Sequence, residues 1–163
     1  MSEKIGLYDE RDPTYKVYSE YNQTWGPLNN RIIIGAKNMI FFVYDEDLEP
    51  VHGRIRSTQF ELPIKALEWL MLVMARFKLP SDKGGYPNDQ FTDFLQLGKN
   101  VDLSVFRGLH HGLGEMCFMI ENRALTTYAT EDNTQSWDIY DRDVTEHNLL
   151  PVFQKIIDDY HQK

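Results

Sequence analysis

The stretch "PSDKGGYPNDQ", residues 80–90, limits what this chain can fold into more than any other. Two prolines and two glycines within it stop both helix and strand. The chain therefore has to build its regular structure on either side, and the two sides read alike. Before the break, residues 31–45 predict a strand, a tight turn at Gly35-Ala36-Lys37-Asn38 and a second strand rich in β-branched and aromatic residues. "DEDLEPVHG" has turn chemistry, and "RIRSTQFEL" alternates as a further strand. "LPIKALEWLMLVMARFKL" predicts a helix with Pro63 in its first turn. Apolar residues nearly encircle that helix, so it should be buried on more than one side, in a larger core or against a partner subunit.

After the break, Leu95–Leu97 and Val101–Phe106 predict a hairpin around Gly98-Lys99-Asn100. "RGLHHGLG" follows as a loop, "EMCFMIENR" as a strand, and "ALTTYATEDNTQSWDIYDRD" as strand, polar loop and final strand. Leu149, Leu150, Phe153, Ile156, Ile157 and Tyr160 then make one amphipathic helical stripe, with Asn148 placed to cap it. The expectation is an α+β fold: two repeats of an antiparallel sheet followed by a helix, at about 31–79 and 91–161. Both belong to one domain over 25–163, and residues 1–24 form an N-terminal arm. The two Lys-Asn turns align, Lys37 with Lys99 and Asn38 with Asn100, about 62 residues apart.

Several function classes fall away. The longest mostly apolar stretch, 66–77, contains Glu68 and Arg76 and is too short to cross a bilayer. "MSEKIGLYDERDP" lacks a signal-peptide core, and Cys117 is alone, which argues against a disulfide framework or a multi-cysteine zinc site. The expectation is a cytoplasmic protein with no membrane association. No phosphate-cradling loop, nucleophile elbow or kinase signature is present, so no enzyme, no catalytic residues, no cofactor and no metal are expected. His110-His111 reads as a plain loop and Cys117 as a small buried hydrophobe. Asp138, Asp141 and Asp143 lack the spacing of a calcium loop.

The net charge of −8 argues against nucleic acid when taken alone. It is unevenly spread. From Glu131 onward eight acids face three bases, whereas residues 21–130 hold twelve acids and eleven bases. A local basic face is compatible with that middle region.

Two segments carry a resemblance. "LQLGKNVDLSV" resembles the first hairpin of the transcriptional positive-coactivator family, in which an apolar-Gln-apolar-Gly-Lys turn leads into a Val-Ser-Val-like strand. "STQFELPIKALEWLMLVM" is similar to the strand-into-helix junction of the plant Whirly proteins, although their Lys-Gly-Lys-Ala-Ala-Leu segment is absent. The resemblance covers most of residues 31–161. It implies a Whirly-like fold, single-stranded DNA as partner, self-association into a homo-oligomer such as a tetramer, and work in replication or transcription. A phage-encoded relative would fit the departures.

Binding single strands without sequence preference needs cations along the phosphates and aromatic faces for the bases. Strand alternation predicts which residues supply them. With Met39, Phe41 and Val43 inward, Phe42 and Tyr44 point outward; with Ile55 inward, Arg54 and Arg56 do. With Val101, Leu103 and Val105 inward, Phe106 points outward, and with Met116, Phe118 and Ile120 inward, so does Arg123. Lys37 and Lys99 sit at the turns, and Arg107 is placed to swing to the same side. Asp102 and Glu121 share that face and would repel phosphate. The other function class is an acidic protein-binding module, for example an inhibitor of a basic host enzyme. In the first class, the acidic C-terminal region would recruit replication or transcription proteins.

Overall fold

The computed structural model describes residues 4–22, 29–36, 40–49, 54–110, 114–128 and 132–161, with the backbone alone for 29–31, 36, 40–49 and 54–58. Strands β1 (Lys16–Asn22), β2 (Asn29–Ala36), β3 (Ile40–Glu49) and β4 (Arg54–Pro63) form an antiparallel meander in chain order, and helix α1 (Ile64–Lys78) follows directly. Strands β5 (Thr92–Leu97), β6 (Val101–Leu109), β7 (Met116–Thr126) and β8 (Thr134–Tyr140) repeat that order. A short helix α2 (Asp141–Glu146) and then α3 (Leu149–His161) follow. The chain is α+β, with two antiparallel sheets and their helices.

β1 lies within residues 1–24, where the sequence suggests an arm; it is the edge strand of the first sheet, paired with β2 from Lys16↔Gly35 to Asn22↔Asn30. Its sequence, KVYSEYN, buries only Tyr21, and its register slips between Val17 and Ser19, so it lacks the alternation that marks the other strands. Side chains from α3 hold it instead. Asp159 accepts hydrogen bonds from Lys16 Nζ (3.1 Å) and Tyr18 Oη (2.9 Å) of β1, and from Lys155 Nζ (2.8 Å) of its own helix. Those donors hold the Asp159 carboxyl far below its ordinary value of 3.8. Burial, together with the bond to Asp159, pushes the Tyr18 phenol up to about 12.

The topology corrects the phase of the repeat. Lys37, outside the described residues, falls between β2 and β3, in the second hairpin of the first meander. Lys99 falls between β5 and β6, in the first hairpin of the second. The two Lys-Asn turns are therefore not equivalent. A different pair is: Gly35 and Gly108 are each the next-to-last residue of their meander's second strand. Each lies under an aromatic ring. A Cβ at Gly35 would come within 2.5 Å of the Tyr18 ring, and one at Gly108 within 2.6 Å of the Phe106 ring. Only glycine leaves the ring its space there.

A single core joins the halves. Ile33, Phe60 and Leu62 of the first sheet meet Leu103, Val105, Phe118, Ile120 and Trp137 of the second, with Leu67, Leu70 and Met74 of α1 and Phe153 and Ile156 of α3 between. α1 touches α3 as well as strands of both sheets, which accounts for its broad apolar surface, although Leu72 stays exposed. Asn148 adopts a left-handed conformation (φ 50°) between α2 and α3, where the sequence suggests a cap; α2, unforeseen, occupies the approach.

Where β4 meets β8, directed polar bonds join the apolar contact of Phe60 with Trp137. The Glu61 carboxylate is buried and accepts from Tyr128 Oη (2.5 Å), Gln59 Nε2 (3.0 Å), the Ile5 backbone N–H (3.2 Å) and Gln135 Nε2 (3.0 Å). The Glu61 backbone N–H donates to Gln135 Oε1 (2.9 Å). Residues 5–8 run across this junction, with Tyr8 N–H donating to Gln59 Oε1 (2.9 Å) and Gly6 N–H to Tyr128 Oη (2.9 Å).

The link between β1 and α3 makes stability depend on pH with a definite sign. A carboxyl whose value is depressed on folding stabilises the fold above its unfolded value of 3.8 and loses that effect as pH falls towards its folded value. Asp159→Asn should melt at lower temperature than wild type at neutral pH. The gap between the two should shrink steadily from roughly pH 5 to pH 2. A constant gap across that range, measured by thermal unfolding, would show that Asp159 does not fasten β1 through its charge.

Candidate functional site

The outer face of the second sheet carries the side chains that could meet a ligand. Cross-strand partners share a face. Phe94↔Ser104↔Glu121↔Ser136 make one row, and Thr92↔Phe106↔Met119↔Asp138 make the next. Val101, Leu103 and Val105 of β6, with Phe118 and Ile120 of β7, are buried beneath, as alternation predicts. Phe94 and Phe106 stand outward, 57% and 42% exposed. Phe94 was legible in the sequence: if Leu95 and Leu97 face the core, the residues between and before them cannot.

Charge on this face is mainly negative. Asp102, Glu121 and Asp138 lie on it against one arginine, Arg123. Arg123 Nη2 donates to Asp102 (2.9 Å), and its guanidinium sits 5.7 Å from the Phe94 ring centroid. Lys99 occupies the β5–β6 turn at this end of the sheet. Glu121 accepts from Thr134 Oγ1 (2.6 Å).

Arg107 does not join them. It has the parity of Val105, and its guanidinium donates twice to Asp141, at 2.6 and 2.7 Å, while lying 4.3 Å from the Phe118 ring centroid. Its side chain is only 13% exposed. A planar cation held by a carboxylate fork and an aromatic face gains nothing from swinging out to solvent. Phe106 and Arg107 do border a common space: a cavity of about 570 Å³ at the end of β6, also lined by Phe77, Tyr86, Phe91 and Met116. Met116, expected inward, is exposed at its rim. Four strand residues, roughly 13 Å, separate Phe106 from Asp102, the partner of Arg123.

The first sheet does not assemble the expected set on one face. In the register Val43 lies opposite Phe60, which is buried in the core, and Phe41 lies opposite Leu62. Positions 54 and 56 have the parity of Phe60 and Leu62, whereas positions 42 and 44 pair with Glu61 and Gln59. Arg54 and Arg56 therefore fall on the opposite side of the pleat from Phe42 and Tyr44. The expectation that Ile55 and Val43 both point inward cannot hold for one sheet with an unbroken register. Lys37 lies outside the described residues.

Cys117 and the two loop histidines are the remaining candidates. Cys117 is buried, and desolvation, with Asp138 nearby, pushes its thiol up to about 11, far from a reactive thiolate. His110 Nε2 lies 3.9 Å from Asp138, and His111 is outside the described residues. Among the described residues, no group of three or more His, Cys, Asp or Glu side chains could hold a metal ion.

The Arg107–Asp141 pair should behave as part of the fold. Arg107→Ala and Asp141→Ala are each expected to cost about 1–3 kcal/mol in urea unfolding, with a coupling of about 1–2 kcal/mol in the double-mutant cycle. Additive losses would mean that the fork is a surface contact only.

No protein-family model, no curated protein and no solved structure matches this chain, so the reading of the site rests on its own geometry.

Proposed function

We propose that the protein is a non-catalytic single-stranded DNA-binding protein of low sequence specificity, Whirly-like in architecture, acting in replication or transcription. The observation that carries this reading is the pair of exposed phenylalanines, Phe94 and Phe106, on the outer face of a meander that is followed by a helix, in a chain that repeats that unit. Exposed rings on adjacent strands offer faces on which successive bases stack whatever their identity. The two segments that carry the resemblance support it as well. The Gly98-Lys99-Asn100 turn closes the first hairpin of its meander, and Pro63 ends β4 just where α1 begins. Lys99 and Arg123 would meet phosphates at one end of the face. Assembly with further copies belongs to the same reading, with exposed Leu72 of α1 as the side that a copy would cover.

One observation favours the alternative, an acidic protein-binding module or inhibitor of a basic enzyme. Asp102, Glu121 and Asp138 share the outer face with the phenylalanines, and they suit a cationic protein surface better than a phosphate chain.

Anisotropy of a labelled oligothymidine separates the two. The DNA reading expects binding that falls steeply with salt and prefers the single strand to duplex. Phe94→Ala should weaken it by about 1–3 kcal/mol, roughly 5- to 150-fold. Wild-type protein that ignores the oligonucleotide at low salt would leave the acidic module as the reading.

A further inference from the structure

β6 outruns its neighbour. Its last partner on β5 is Thr92, opposite Phe106, and the Arg107 N–H goes on to the Phe91 carbonyl (2.8 Å) before the chain of β5 turns away. The segment from Leu79 to Phe91 bends around the gap that remains, and the result is the cavity of about 570 Å³.

Its walls are fixed. The Tyr86 ring is buried between Phe77, with ring centroids 4.3 Å apart, and the Arg76 guanidinium, 4.1 Å away, and its hydroxyl donates to Asp93 (2.5 Å). Burial and that bond push the Tyr86 phenol up to about 12, so it stays protonated. Gly85 folds tightly back, its N–H bonded to the Pro80 carbonyl (3.0 Å), in a place where a Cβ would meet the Leu79 carbonyl oxygen at 2.0 Å. The Phe106 ring also lines the cavity, in a position that a Cβ at Gly108 would obstruct at 2.6 Å. Phe91, 53% exposed, and Met116 stand at the mouth.

The polar groups here are few, and Gln90 Nε2 already donates to the Thr92 carbonyl (3.1 Å), which leaves its Oε1 to the cavity. Asn88 and Gln90 contribute amides, while Arg107, the one cation in the lining, is already neutralised by Asp141. Flat aromatic walls suit a flat ligand, and amides suit one that both donates and accepts hydrogen bonds. A spent guanidinium offers no reward for an anion. The volume lies within the range of small-molecule sites, roughly 300–1,000 Å³.

From this we infer that the cavity is a receptor for a neutral, flat, nitrogen-containing ring, a nucleobase, stacked against Phe106 and Phe91 with its edge met by Asn88 and Gln90. The base has two possible sources, a free nucleoside or one residue of a bound strand turned off the sheet at Phe106. In the second case the inference rests on the DNA reading; in the first it stands apart from it.

The test follows the Met116 methyl resonance of the full chain during titration with deoxyadenosine, thymidine and deoxyadenosine 5′-monophosphate. At least one nucleoside should shift it saturably, with a dissociation constant below about 10 mM, and the monophosphate should bind within about threefold of its nucleoside. Phe91→Ala should weaken nucleoside binding about tenfold or more, whereas Leu150→Ala, exposed on α3 and outside the lining, should leave it unchanged. No saturable shift with either nucleoside overturns the inference, and so does equal binding by Phe91→Ala. A monophosphate bound tenfold tighter overturns the neutral-ring assignment, since Arg107 would then have exchanged Asp141 for phosphate. Oligothymidine tells the sources apart. If Phe91→Ala weakens oligonucleotide binding as well as nucleoside binding, a base of the strand enters the cavity. Nucleoside binding without any oligonucleotide binding keeps the cavity and removes the DNA reading; oligonucleotide binding without any nucleoside shift does the reverse.

Discussion

Burying the Glu61 carboxylate between the two sheets is the constraint on which the arrangement of the halves depends. A buried carboxylate left short of partners costs about 1–3 kcal/mol or more for each missing bond, so every group around it has to be in place at once. Those groups come from far apart in the chain: Ile5 from the N-terminal segment, Gln59 from β4, Tyr128 from the loop after β7 and Gln135 from β8. Asn122, also buried, donates to the Glu61 carbonyl (3.4 Å) and the Asn100 carbonyl (3.0 Å), tying the β5–β6 turn to the same junction. An apolar seam alone would have tolerated sliding of β4 along β8. The directed bonds fix the offset, and with it the direction in which the second sheet presents its outer face.

How much of this was legible follows from which interactions write a pattern into sequence. Strands with one face on the core alternate, so the middles of β6 and β7 could be read from the sequence, and Val101, Leu103, Val105, Phe118 and Ile120 are all buried, although exposed Met116 departs from the pattern. The same alternation fixes Phe106 and Arg123 as outward. β1 leaves little such trace, because Tyr21 is its one buried side chain and Asp159 on α3 fastens Lys16 and Tyr18. Arg107 was misread for a related reason. A strand-end arginine beside glycine looks free until the fold brings Asp141 beneath it, and nothing local marks that meeting.

The phase of the repeat shows how a local match can mislead. Gly-Lys-Asn and Ala-Lys-Asn both make good turns, and turn chemistry recurs wherever a hairpin must close. The glycines inside β2 and β6 carry more information, since a glycine within a strand weakens it and persists where another group needs the space. At Gly35 the group is Tyr18 from the neighbouring strand, and at Gly108 it is Phe106 from the same strand. The two halves thus use one device with different suppliers. On the second sheet the covering ring is also a wall of the cavity.

The net charge of −8 says less about partners once the ion pairs are placed. In the acidic C-terminal region, Asp141 holds Arg107, Glu146 holds Arg142 (2.9 Å), Asp159 holds Lys16 and Lys155, and Asp143 is buried. Asp141 and Asp159 thereby tie a helix to a strand, whereas Glu146 pairs within α2. On the proposed binding face, Asp102, Glu121 and Asp138 are set among the exposed rings. Such a surface would repel a phosphate chain at long range while its rings attract bases at contact. For a strand bound there, stacking has to supply the affinity that charge withholds. A flat aromatic cavity of neutral charge at the end of β6 is the kind of feature such a surface would use.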